Sequence, residues 1–203
     1  ARLGRENEAY DACLKWGARA DPLGRSPASN SQSSRDVLRW AHGAFLQFAG
    51  SRRDDPNAEF CEGLIDWFSG NVNEAHRRFH RVTSMAGAHA LAWAYKSMAV
   101  SQAQLKGDAI AMASRAVQID RNSGLAHVAL AWAHLKKGQA TKASIEATHA
   151  QKLSATLLLP KVVTADTLAS ADQSEKARAL LSSVLESDPS YREAHVVLYK
   201  RGL

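Results

Sequence analysis

NEAHRRFHRV at 73–82, GDAIAMASRA at 107–116, TKASIEATHA at 141–150 and EKARALLSSV at 175–184 share one phase of a 34-residue period. The third position of each is alanine: Ala75, Ala109, Ala143 and Ala177, with Ala41 one step back. Four residues on stand Phe79, Ala113, Ala147 and Leu181, preceded by Phe45. Three more bring Val82, Ala116, Ala150 and Val184, preceded by Phe48. Spacing of i, i+4, i+7 puts these residues on one stripe of a helix. Earlier in each unit a small residue recurs at Gly63, Ser97, Ala131 and Ala165, where two helix backbones must approach closely. A fixed period with two helices per unit predicts hairpins that stack on their neighbours into one elongated body.

This pattern resembles the tetratricopeptide repeat (TPR) family. Trp93 falls at the family's early tryptophan position, and Asp188-Pro189 matches its terminal stop at the expected phase. The resemblance implies an all-α fold, a right-handed α-solenoid of about five helix pairs closed by a C-terminal capping helix. Four units are expected at 56–89, 90–123, 124–157 and 158–189, with the cap at 190–203. Residues 1–55 read as a degenerate pair, with helices at 3–20 and 34–50 separated by an inserted loop at 21–33. That loop begins Asp21-Pro22-Leu23-Gly24 and is rich in serine, a composition with no helical option. Asp108 and Ser123 are expected to cap helix N-termini, and Ser190 to cap the last helix.

In this family the first helix of each pair lines a concave groove. Carried onto this chain, the groove-facing positions hold Phe60, Leu64, Trp67 and Phe68, then Leu91, Tyr95 and Met98. They continue with Val128, Trp132 and Leu135, and then Leu159, Val162 and Asp166. Such a wall is unusually apolar, and a contiguous exposed apolar patch marks an interaction site. The family members that grip a terminal carboxylate carry cations at positions that here hold Phe60, Leu64, Tyr95, Leu125 and Ala129. A protein or peptide partner is therefore expected to be greasy: an amphipathic helix, another part of the same chain, or a second copy in a homo-oligomer. Tyr95 and Trp132 are expected to carry that binding, so that replacing both with alanine removes the partner and leaves the helices.

Composition narrows the alternatives. Of 203 residues, 45% are hydrophobic, which supports a folded protein over a disordered one. The net charge of +6 is scattered, as at Arg77, Arg78, Arg81 and Lys136-Lys137, with no basic stripe interleaved with aromatics. That argues against nucleic acid. Two cysteines, Cys13 and Cys61, read as small core residues of a reducing, cytoplasmic compartment. No run of about 18 apolar residues suggests a membrane span, and no signal peptide is visible. Because the chain opens at Ala1 in helix-like sequence, a piece of a longer protein is expected.

Signatures of chemistry are poor. His76 and His80 stand four apart but lack the glutamate of a zinc-protease motif, and arginines crowd them. His127 and His134 are seven apart, too far for one ion. No nucleophile elbow, phosphate loop or dinucleotide motif occurs, so no enzyme, metal or cofactor is expected. The expected function is a protein–protein interaction module. The alternative is a regulatory or sensor domain of a larger bacterial signalling protein, since the alanine-rich repeats loosely resemble the C-terminal tracts of some bacterial nucleotide cyclases and transcription regulators.

Overall fold

The computed structural model describes Cys13, Lys15, residues 21–23 and residues 55–203. Cys13 and Lys15 are helical; the rest of the expected helices at 3–20 and 34–50, and of the loop beyond residue 23, lies outside the described residues. Nine helices follow among them: α1 (Pro56–Ser69), α2 (Val72–Met85), α3 (Ala90–Ala103), α4 (Ala109–Ile119), α5 (Gly124–Lys136), α6 (Ala140–Leu153), α7 (Leu159–Ser170), α8 (Ser174–Ser187) and α9 (Arg192–Arg201). No strand occurs among the described residues. Each helix packs on its successor, and α3, α5, α7 and α9 pack on one another in order, which makes a solenoid with two layers.

The helix limits follow from local chemistry. Asp55 accepts from the Asn57 amide at the start of α1, with Pro56 in the first turn, where its missing N–H costs nothing. Gly70 ends that helix at φ 87°, a left-handed conformation that glycine adopts without strain. Asp108 accepts from the Ile110 and Ala111 amides, and Ser123 from Ala126, as the sequence predicts. The last helix departs from expectation. Ser190 does not cap it; Tyr191 holds the N-cap position, and Asp188 Oδ1 accepts from both the amide and the hydroxyl of Ser190. An aspartate two residues back closes this turn more effectively than the serine could.

The 34-residue period is the buried seam. Ala75, Phe79 and Val82 on α2 are fully buried, as are their counterparts on α6 and α8 and Ala113 and Ala116 on α4. Opposite them lie Gly63, Ser97, Ala131 and Ala165, all buried. A Cβ at Gly63 would stand 2.7 Å from Phe79 Cε1, so the phenylalanine on α2 requires glycine on α1. At the corresponding positions of α3, α5 and α7 stand Ser97, Ala131 and Ala165. The Ser97 hydroxyl still finds a partner, donating to the Ala109 carbonyl at 2.7 Å. On the outer side Arg78 of α2 binds Asp66 at 2.8 Å and also Glu62 of α1, and Arg81 pairs with Glu59.

His89 caps α3 in an unusual way. Its Nδ1 accepts from the Ala92 amide at 3.2 Å, while the ring packs 4.4 Å from Phe60. Burial holds its pKa below the ordinary 6.5, and burial followed by Lys96 and His80 does the same for His76. A depressed folded pKa means that the unfolded chain takes up protons first. The stabilisation is thus complete above pH 6.5 and is lost as pH falls below that value through the folded pKa. Urea unfolding is expected to show lower stability at about pH 5.5 than at about pH 7.5. His89→Asn, which keeps a cap acceptor but does not titrate, should flatten part of that slope, His76 supplying the rest. An unchanged slope in His89→Asn would remove His89 from the account.

Candidate partner-binding groove

The first helices of the pairs turn their large side chains toward a common inner face. Tyr95 on α3 sits at the centre of a ring cluster, with Phe79, Trp67, Phe60 and Phe68 at centroid distances of 5.5, 5.9, 6.2 and 6.4 Å. Phe60, Leu64, Trp67, Tyr95, Met98 and Val128 are fully buried, as are Leu159 and Val162. Phe68, Leu91 and Leu135 are partly buried. The apolar wall read from the sequence is therefore largely closed rather than open to a partner. Tyr95 in particular lies in the core, so its replacement reports on stability before it reports on binding.

One edge of the wall, at Trp67, meets a segment from far away in the chain. Trp67 Nε1 donates to the Pro22 carbonyl at 2.6 Å. Asp21 Oδ2 accepts from the Leu158 and Leu159 amides at 2.5 and 2.9 Å, capping the start of α7. Its Oδ1 accepts from the Tyr191 hydroxyl at 2.6 Å and from the Leu23 amide at 3.2 Å. Leu23 and Pro22 are buried. Residues 21–23 thus form a strap that ties α1 to α7 and to the residue preceding α9. Burial pushes the Asp21 carboxyl above its ordinary range, against the hydrogen bonds from Tyr191, Leu159, Leu158 and Leu23 that pull it down. Nearby, Cys13 packs beside Cys61, both as free buried thiols, and burial pushes the Cys61 thiol well up, so Cys61 is no ready nucleophile.

Beyond the strap the inner face opens into a cavity of about 330 Å³ between α3, α5, α7 and α9. Trp132, Leu135 and Val162 from the predicted set line it together with Val196 and Val197 of α9. The rest of that set stays outside it, except Asp166. Three cations, Lys136, Arg192 and Lys200, face two carboxylates, Asp166 and Glu193. Asp166 is buried and already engaged, accepting from Arg201 Nε at 2.6 Å with Lys200 Nζ at 3.9 Å. Lys136 Nζ lies 4.3 Å above the Trp132 ring, and burial first, with Lys200 and Arg192, lowers its pKa against the pull of Glu193 and Asp166. Sequence reasoning missed Lys136, Arg192 and Lys200. Two of them belong to the helix read only as a cap, and the signal available was the i, i+4, i+8 spacing that puts Arg192, Val196 and Lys200 on one face.

Solved structures of low sequence identity share this architecture. A thermophilic TPR protein from Thermus thermophilus superposes with a TM-score of 0.63 at 15% identity, over 83% of this chain and 92% of that one. The fold is that of a tetratricopeptide-repeat array. The resemblance read in the sequence thus holds at the level of the TPR fold, as does the all-α class. MamA, residues 41 to the end, from Desulfovibrio magneticus RS-1 gives a TM-score of 0.58 at 16% identity, covering 94% of this chain and 97% of that one. YrrB, described as a TPR protein with an unusual peptide-binding site, gives 0.56 at 16% identity over 84% and 87%. No family model matches the sequence, and no curated protein does. None of the helices among the described residues is long and apolar enough to cross a membrane.

Proposed function

We propose that this TPR array is a protein-interaction module that binds a peptide segment of a partner protein in the cavity between α5, α7 and α9. The observation that carries the reading is the cavity itself, where Leu135, Val196 and the exposed edge of Trp132 lie beside Lys136, Arg192 and Lys200. Cations outnumber carboxylates there, and Asp166 is already held by Arg201. The segment that fits carries an aliphatic side chain for the floor beside an acidic one for the rim. Trp132 backs this contact from beneath, its ring buried under Lys136. A segment reaching past the cavity toward Trp67 and Tyr95 would first have to displace the 21–23 strap. The module binds and does no chemistry of its own.

Fluorescence anisotropy with labelled ten-residue peptides carrying a central Glu-Leu pair tests this reading against matched peptides carrying Lys-Leu. The acidic set is expected to bind, to weaken as salt rises, and to lose about tenfold or more in affinity with Arg192→Glu, an effect of the size that charges in partly desolvated contacts produce. Equal binding of both sets, or no change in Arg192→Glu, would place the interaction elsewhere.

A further inference from the structure

One cluster of chemistry-bearing side chains has no part in the cavity. His127 stands in the first turns of α5, and Glu146 and His149 stand three residues apart on α6, so that both turn toward α5. One donor atom from each of the three lies within 4.8 Å of the others. His127 Nδ1 is 2.6 Å from Glu146 Oε2, and the His149 ring is 5.5 Å from that of His127, nearly perpendicular to it.

The two nitrogens of His127 both face acceptors. Nδ1 meets the Glu146 carboxylate, and Nε2 meets the Arg121 carbonyl at 3.1 Å. A neutral imidazole has a single N–H and can satisfy only one of them. The other contact, at this spacing, sets a nitrogen lone pair against an oxygen unless a second ring proton lies between, and a metal ion would take that proton's place once the two atoms part. Nε2–H donating to a backbone carbonyl is the outer-shell bond that fixes the tautomer and orientation of a metal-ligating histidine. It leaves Nδ1 aimed at Glu146.

We propose that His127, Glu146 and His149 bind one divalent transition-metal ion that ties α5 to α6. Two imidazoles and one carboxylate are the donor set that suits zinc, where calcium and magnesium would take oxygens. Tetrahedral bonds of about 2.0–2.2 Å require donor atoms roughly 3.3–3.5 Å apart, which the present spacing reaches by side-chain rotation of about an ångström. His127 is buried and orients the site, Glu146 is half-buried, and His149 is exposed and gives access to solvent. A water completes the fourth position. The other histidine pair, His76 and His80, does not compete, because Lys96 Nζ sits 3.0 Å from His80 Nδ1 and repels a second cation.

The test uses the intact, reduced chain freed of metal with a chelator and titrated with Zn²⁺ alone, read by calorimetry and by competition with a chromophoric chelator. One equivalent with a Kd in the micromolar range or tighter is expected, with a rise in Tm. Because His149 is exposed, His149→Ala should keep the helical signal and the metal-free Tm while weakening zinc by about tenfold or more, and Glu146→Gln should do the same. Co²⁺ in place of zinc should give visible bands of a four-coordinate nitrogen–oxygen site that His149→Ala abolishes. Binding that is absent, weaker than millimolar, or unchanged in His149→Ala would overturn the proposal; the last result would assign the metal to the cysteines or to the other histidines.

Discussion

Tyr95→Ala is expected to cost about 3–5 kcal/mol, the range for deleting a large aromatic from a packed core. The ring is fully buried and meets four other rings. It lies at the junction of α1, α2 and α3, so no neighbour can swing in to fill the space without giving up its own packing. Tyr95→Phe keeps the ring and should cost a fraction of that. Urea unfolding followed by circular dichroism distinguishes the two, and the alanine variant should melt well below the parent or fail to fold. Parent-like melting in Tyr95→Ala would mean that the ring sits in an open groove, and that the wall read from the sequence is available to a partner. Trp132 marks the contrast. It lines the cavity, and its indole N–H is buried with no acceptor among the described residues. Trp132→Phe should therefore be tolerated better than any change at Tyr95 that removes the ring.

Asp21→Ala is the second large effect, about 2–4 kcal/mol, because it strips the acceptor from the Leu158 and Leu159 amides at the start of α7 and from the Tyr191 hydroxyl. Each buried donor left without a partner costs about 1–3 kcal/mol, and these share one carboxylate, so the costs do not add in full. Removing a carboxylate whose burial is itself unfavourable offsets part of the loss. Asp21→Asn, with one carbonyl oxygen left as an acceptor, should fall between the parent and alanine. Hydrogen exchange localises the effect: the first turn of α7 should exchange faster in Asp21→Ala, while the α2 and α4 seams keep their protection. Uniform loss of protection would show that the strap holds the whole array, and no loss at α7 would show that it holds nothing there.

Much of this architecture was legible because it is local or repeats at one fixed distance. Ala75, Ala109, Ala143 and Ala177, with the stripes that follow them, report a helix face that always meets the same face of a neighbour. A repeat array therefore writes its packing into its period. The caps at Asp108 and Ser123 were readable for a related reason, since a capping side chain bonds an amide only two or three residues away.

The site was harder to read, because nothing in a periodic pattern says which apolar residue faces a partner and which faces the chain itself. Phe60, Leu64, Trp67 and Tyr95 hold groove positions by register. All four are buried, and Trp67 bonds a strap whose key carboxylate is 137 residues from the amide it caps. Lys136, Arg192 and Lys200 converge only when α9 folds back on α7. His127 joins Glu146 and His149 only because α5 and α6 lie face to face, so a spacing rule applied to one helix passes over them. The repeat, the helices and the small residues at their crossings follow from short-range chemistry summed at a constant period. The tertiary structure alone decided which surface stays open, because closing a groove depends on contacts between residues that no period relates.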